Sequence, residues 1–410
     1  MVSAGRLVTR RVPELAAIFS RLGWMSFGGP IAHIGYLRAE FVQRRKWLDD
    51  AQYADLVALC QFLPGPASSQ VVFAIGMQRA GLLGALTASA CFTLPSALLM
   101  IAFGYGMTLI TDFSTAGWLH GLKLAAVAVV AQAVWGMGRR LCPDSPRASL
   151  CMFTAAVLMA LPGAGVQLGL IALGAVIGLW LYRDVHRDAA LGGERVPGST
   201  GEGSLFGAAA LGLFASIFGL MPLLAAMTAS REVSMFDSFY RSGALVFGGG
   251  HVVLPLLRLE LVPRGWLTDD QFLAGYAAAQ ALPGPMFAFA AYLGTVMTSG
   301  ALRWLYGFMC LFAIFLPAWL LIGGALPFWQ RLRTKPRVQA ALAGANAAVV
   351  GVLLAALYSP IFTDSVKSTQ DAVAALVAFC LLEHWNTPPW LVVLGMALTG
   401  QCFVFLRLLG

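Results

Sequence analysis

Long apolar runs recur from one end of the chain to the other, separated by short polar stretches. A run of about 18 or more apolar residues is long enough to cross a bilayer core. The pattern predicts such segments at 12–37, 53–75, 81–110, 117–138, 149–161, 165–182, 204–230, 235–258, 271–297, 300–326, 338–358, 370–385 and 389–409. The run at 149–161 is short and reads as tilted or half-inserted, and the proline-bearing runs read as dipping or crossing. The expected fold is an all-α polytopic membrane protein with about thirteen transmembrane or membrane-dipping helices.

Two stretches of the chain are copies of each other. Phe27, Gly28 and Gly29 match Phe247, Gly248 and Gly249, Arg38 matches Arg258 and Glu40 matches Glu260, all at a spacing of 220 (27 to 247). One deletion later the spacing is 219 (47 to 266), and Trp47, Asp50, Gln52, Gln61 and Pro64-Gly65-Pro66 match Trp266, Asp269, Gln271, Gln280 and Pro283-Gly284-Pro285. Further on, Pro95 resembles Pro317 and Lys123 falls opposite Asn346. The chain reads as a first repeat at 1–182, a polar linker with one connecting helix at 183–234, and a second repeat at 235–410.

Seven crossings between equivalent points turn the second copy upside down, and loop charges agree with that orientation. "GRRLCPDSPR" is basic where its counterpart "SPIFTDSVKS" is near neutral, and "QRLRTKPR" is basic where "TDFSTAG" carries one acid. The loop "LRAEFVQRRKWLDD" runs against the bias. Either segment 12–37 dips and returns, or that loop has a separate task.

Proline in a helix interior removes a hydrogen bond, at a cost of about 3 kcal/mol in a soluble helix. In lipid the freed groups need protein or water around them, so the two Pro-Gly-Pro triplets mark broken helices. A pair of breaks at equivalent places in inverted halves points to a transport site. The helix restarting in "ASSQVVFA" offers free N–H groups and a positive dipole end to an anion, with Ser68, Ser69 and Gln70 as further donors. A kink that only shapes packing is the plain alternative. Gly28, Gly29, Gly248 and Gly249 read equally as a close-packing surface or as bare backbone for a ligand. His33 and His251 are not at equivalent positions and read first as hydrogen-bonded structural residues, with proton carriage the lesser reading.

Charges near the segment ends add candidates. Arg38 with Glu40, and Arg258 with Glu260, read as ion pairs anchoring helix ends, while Arg38 also offers a planar fork of donors to an oxyanion. Arg44, Arg45 and Lys46 would concentrate anions near an entrance. Lys123 reads either as snorkelling to headgroups or, because Asn346 is polar at the same place, as facing the interior.

Composition narrows the classes. Of 410 residues 59% are hydrophobic and 11% charged, against about 25% charged in soluble domains. The net charge of +8 lies in short loops, as membrane topology requires, so nucleic acid is not an expected partner. Seven cysteines without a CxxC pair read as small hydrophobes, and the basic-then-apolar N-terminus reads as retained. No nucleotide-binding loop, catalytic motif or metal-ligand spacing is present, so no cofactor or metal is expected and an intramembrane enzyme is a remote alternative.

"FGGPIAHIGYLRAEFVQRRKWLDDAQYADLVALCQFLPGPASSQ" with "FGGGHVVLPLLRLELVPRGWLTDDQFLAGYAAAQALPGP" closely resembles the two domains of the chromate ion transporter family in its long form. The resemblance covers nearly the whole chain outside the linker and tails. It implies a multi-pass protein of the bacterial inner membrane that exports chromate, driven by membrane potential or proton gradient. Family residues associated with transport would fall on Arg38, Glu40, Trp47, Asp50, Gln61, Pro64, Gly65 and Pro66 and their second-half counterparts. The second half departs from the first where Phe287-Ala288-Phe289 replaces Ser68-Ser69-Gln70, which predicts an asymmetric site. Sulfate shares the shape and charge of chromate, leaving an oxyanion uptake carrier or channel as the alternative, and a homodimer stays open.

Overall fold

The computed structural model describes residues 2–27, 29–107, 109, 117–181, 201–246, 252–329 and 335–409. Every regular element among them is helical. Gly28, Gly248, Gly249 and His251 lie outside the described residues, as does most of the 183–203 linker.

The segment at 12–37 is two helices, α1 (Val2–Met25) and α2 (Gly29–Arg38), and α2 runs on into a π-helical turn at Ala39–Arg44. Helix α3 (Asp50–Phe62) starts at a reciprocal cap in which the Asp49 side chain accepts from the Gln52 N–H and the Gln52 side chain accepts from the Asp49 N–H. It stops at Leu63, before the first Pro-Gly-Pro. Helix α4 (Ala67–Met107) leaves helical geometry at Ala80 and Gly81, the latter at φ 61°, a value glycine adopts without penalty. There the chain doubles back, which brings Gly76 onto the backbone of Gly84 and Ala85. Then follow α5 (Gly117–Leu141), α6 (Ser145–Ala160) and α7 (Ala164–Leu181).

After α8 (Gly201–Thr228) the same order returns. Helices α9 (Arg231–Ala244) and α10 (Val253–Leu261) are again separated by a Phe-Gly-Gly stretch. Helix α11 (Asp269–Ala281) has the same reciprocal cap, from Thr268 and Gln271. A tight turn at Met286–Ala288 and α12 (Phe289–Val296) correspond to the first arm of α4, and α13 (Arg303–Ala325) to its second. The chain ends with α14 (Pro336–Ala356), α15 (Thr369–Glu383) and α16 (Pro389–Leu409).

Among the described residues, five helical stretches are long and apolar enough to cross a membrane: Ala67–Met107, Gly117–Leu141, Ser204–Thr228, Arg303–Phe328 and Pro336–Ser365. Four shorter apolar helices accompany them, at Ser145–Ala160, Gly165–Leu181, Met286–Val296 and Pro389–Cys402. Helix α8 turns Leu205, Leu213, Leu223 and Met227 outward, the surface expected against lipid.

The halves interlock through their last helices. Helix α7 lies on α14, where Gly174 and Gly178 meet Gly344, and α16 lies on α5, where Gly400 meets Gly117 and Gly121. Glycine at these crossings lets backbones touch where lipid gives no hydrophobic drive. A Cβ on Gly344 would sit 2.8 Å from the Gly178 backbone.

The charged ends differ from the sequence expectation. Arg38 pairs with Asp50 at 2.6 Å and Arg258 with Asp269 at 2.6 Å, not with Glu40 and Glu260. Positions two apart on a helix do not face each other, and Glu40, within the π-helical turn, has its carboxylate buried among Arg21 (2.7 Å), Arg45 (2.7 Å) and Arg44 (3.3 Å). In the second half Glu260 faces Arg241 at 3.6 Å and Arg264 at 2.8 Å, and these arginines stand 220 positions from Arg21 and Arg44 (21 to 241, 44 to 264). Burial pushes the Glu40 carboxyl up. The Arg45 hydrogen bond and the charges of Arg21, Arg45 and Arg44 overcome this and hold it below the usual carboxylate range.

Replacing Gly344 by Leu should cost about 1–3 kcal/mol, read as a lower thermal unfolding midpoint of the purified protein in detergent. Because the Glu40 carboxyl is held low in the folded state, its contribution is complete above the ordinary carboxylate range and is lost as pH falls through the lowered folded value. Glu40→Gln should therefore cost about 2 kcal/mol at neutral pH and flatten the acid arm of stability against pH, measured by the same thermal scans.

Candidate functional site: the crossing of the broken helices

The two Pro-Gly-Pro breaks are each held by the opposite half. The Gly65 N–H donates to the Val246 carbonyl at 2.7 Å, and the Gly284 N–H donates to the Ser26 carbonyl at 2.8 Å. Ser26 and Val246 are themselves equivalents (26 + 220 = 246), each immediately before a Phe-Gly-Gly stretch. Gly65 has φ 123° and Gly284 φ 101°, conformations that favour glycine. A Cβ on Gly65 would lie 3.0 Å from Ala318 Cβ, and one on Gly284 would lie 2.6 Å from Ser96 Oγ. Ser96 and Ala318 follow the equivalent helix prolines Pro95 and Pro317. Each triplet is thus clamped between a carbonyl, Val246 or Ser26, and the proline-bearing long helix of the other half.

The first triplet opens onto polar groups. The first bond of α4 runs from the Gln70 N–H to the Pro66 carbonyl at 3.0 Å, leaving the N–H groups of Ala67, Ser68 and Ser69 without a partner inside the helix. Gln70 Nε2 donates back to the Pro64 carbonyl at 2.8 Å, which fixes the amide across the break. Its Oε1 and the Ser69 hydroxyl are buried without a hydrogen-bond partner among the described residues. Leaving such groups unpaired costs about 1–3 kcal/mol each. Ser68 Oγ faces His33 Nδ1 at 3.5 Å, and His33 Nε2 faces the Ser26 carbonyl at 2.9 Å. The second triplet opens onto Met286, Phe287 and Phe289, all buried, with Gln280 Nε2 directed at Met286 Sδ at 2.8 Å. The two restarts therefore differ in chemistry, as the sequence indicates.

Other candidates stand apart from this crossing. Gly29, at φ 77°, has open space where a Cβ would be. Lys123 is ion-paired to Asp270 at 3.0 Å, so α5 of the first half reaches the start of α11. Asn346 is half-buried on α14. Gln61 accepts from Arg140 at 2.5 Å. Trp47 carries the guanidiniums of Arg79 (4.0 Å) and Arg45 (5.4 Å), and Trp266 those of Arg264 (5.1 Å) and Arg231 (5.9 Å). Arg38 and Arg258 are engaged by their aspartates. A small cavity of ≈ 20 Å³ lies beside the second Arg–Glu cluster, lined by Gln167, Arg241, Ser242 and Glu260. Sequence reasoning overlooked Ser26, Ser96, Arg21 and Arg241. The first two carry no motif of their own, whereas Arg21 and Arg241 share the spacing of 220 that marks the rest of the copy.

Relatives are similar to this chain over most of their length. A chromate transport protein of Pseudomonas aeruginosa is 31% identical over 351 residues, covering 83% of this chain and 79% of its own. A probable chromate transport protein of Synechococcus elongatus is 26% identical across 95% of both chains. A chromate transport protein of Cupriavidus metallidurans is 27% identical across 96% of this chain and 93% of its own. No solved structure matches. The chromate transporter family description fits twice, at residues 13–179 and 233–401, so both clamped triplets fall inside matched sequence and the chain belongs to the chromate transporter family.

Proposed function

We propose that this protein is a secondary transporter that exports chromate from the cytoplasm across the bacterial inner membrane by alternating access. The observation that carries the reading is the start of α4. Three N–H groups without a partner inside the helix, and the Ser69 hydroxyl, which has none among the described residues, are gathered where two broken helices cross. Chromate is a tetrahedral dianion that takes N–H and O–H donors, and a helix start supplies these with a favourable dipole. Ser68 and Ser69 belong to the anion site in this reading, Gln70 braces the break beside it through its bond to Pro64, and Met286, Phe287 and Phe289 form the apolar wall. Pro64, Gly65, Pro66, Pro283, Gly284 and Pro285 are the hinges. Arg38, Arg258 and Lys123 hold the ends of the moving parts through their carboxylate partners rather than contacting the anion.

The two repeats, 1–182 and 235–410, are inverted relative to each other in this scheme, with 183–234 as the connector. Rocking one against the other exchanges which side of the crossing is open. A membrane potential negative inside supplies about 2.3 kcal/mol per charge for each 100 mV, which favours a dianion leaving the cell.

Everted membrane vesicles containing the protein should accumulate labelled chromate when energised. No energised uptake would sink the export reading, and sulfate accumulation in its place would reassign the substrate. Ser69→Ala should raise the KM for chromate about tenfold. Gly65→Ala should abolish transport, since its φ and its contact with Ala318 both exclude a side chain; retention of wild-type rates by both variants would return Pro-Gly-Pro to a packing role.

A further inference from the structure

His33 is 1% exposed, and its ring stands edge-on to Phe92 at 5.7 Å. A carbonyl only accepts, so the nitrogen facing Ser26, Nε2, carries a hydrogen. In a neutral ring Nδ1 is then a bare lone pair, and the Ser68 hydroxyl is the donor across their 3.5 Å. The one hydroxyl hydrogen of Ser68 is thereby committed to the ring, and toward an anion Ser68 presents lone pairs only.

We propose, building on the transport reading above, that His33 is the proton-binding residue of the site, and that its protonation converts Ser68 into an anion donor, so that oxyanion and proton bind together. A proton taken from water at Nδ1 reverses the bond: Nδ1–H donates to Ser68 Oγ, and the hydroxyl hydrogen, still bonded to Ser68, turns to the anion. The ring gains one positive charge beside the three N–H groups of the α4 start.

The surroundings make the two events depend on each other. Among the described residues no charged side chain faces the ring. On α2 itself Arg38 is held by Asp50, and the arm of α4 beside it carries Ser68, Ser69 and Gln70, with Arg79 a further two turns along and stacked on Trp47. From α3 the Tyr53 hydroxyl donates to the Ile34 carbonyl at 2.6 Å, and from the second half Gly284 contributes only backbone. A buried imidazolium without a counter-charge is costly, and so is a dianion held by neutral donors alone. Each therefore raises the affinity for the other by the same factor. Dianion plus proton leaves with one net negative charge, so the potential drives export and an inward proton gradient opposes it.

The test uses the full-length protein in weakly buffered detergent solution, with chromate as ligand. Wild type should take up close to one proton per chromate bound, and its affinity should fall by up to about tenfold per pH unit. His33→Gln keeps a donor for Ser26 and an acceptor for Ser68 but cannot take a charge. It should bind chromate with no proton uptake beyond that of chromate's own protonation, which is common to both proteins. Equal proton uptake by wild type and H33Q overturns the assignment. Independently of that variant, the ¹⁵N spectrum of histidine-labelled wild type should show the His33 imidazolium on adding chromate, and a ring that stays neutral in the complex overturns it too. Wild type that binds no chromate at all would instead sink the transport reading, and this one with it.

Discussion

Two backbone hydrogen bonds, from Gly65 to Val246 and from Gly284 to Ser26, hold the centre of the molecule together. A broken helix in lipid has donors and acceptors with no water to receive them. Here the glycine N–H of each Pro-Gly-Pro is satisfied by a carbonyl of the other half, at Val246 or Ser26. This reciprocity fixes where the proline-bearing helices must lie, since Ala318 and Ser96 close over the two glycines. It also places His33 against the same carbonyl that receives Gly284, with Ser68 at the other nitrogen of the ring.

Around this crossing the two halves are alike in skeleton and unlike in chemistry. Reciprocal caps start α3 and α11, aspartates hold Arg38 and Arg258, and tryptophans carry arginines at equivalent places. Serine, serine and glutamine line one restart; phenylalanine, alanine and phenylalanine line the other. Under the proposed transport reading, a duplicated scaffold with one polar and one apolar restart offers an anion one donor-bearing restart rather than two.

Much of this was legible in the sequence because the relevant signals are local. Pro-Gly-Pro breaks a helix wherever it stands, and the spacings of 220 and 219 expose the copy without reference to contacts. The cap residues Gln52 and Gln271 were visible as matched positions, though not as caps. What could not be read was partnership across distance. Glu40 sits two residues from Arg38, and on a helix positions two apart point to different sides, so nearness in sequence says nothing of pairing. From the π-helical turn at Ala39–Arg44 the carboxylate meets Arg21, nineteen positions back (40 − 21). Lys123 meets Asp270 only because α5 packs against α11, a contact no periodicity encodes. The carbonyl of Ser26 has no side-chain signature at all.

The interlocking of α7 with α14 and of α16 with α5 bears on how the chain is made. Gly174 and Gly178 are synthesised long before Gly344, the surface they close upon. Until α14 emerges, the first half waits in the bilayer with its glycine stripe unmatched. Assembly is therefore late and all at once, and a ribosome stalled within the second half leaves behind an unfinished protein with an open seam for the cell's membrane quality control to recognise.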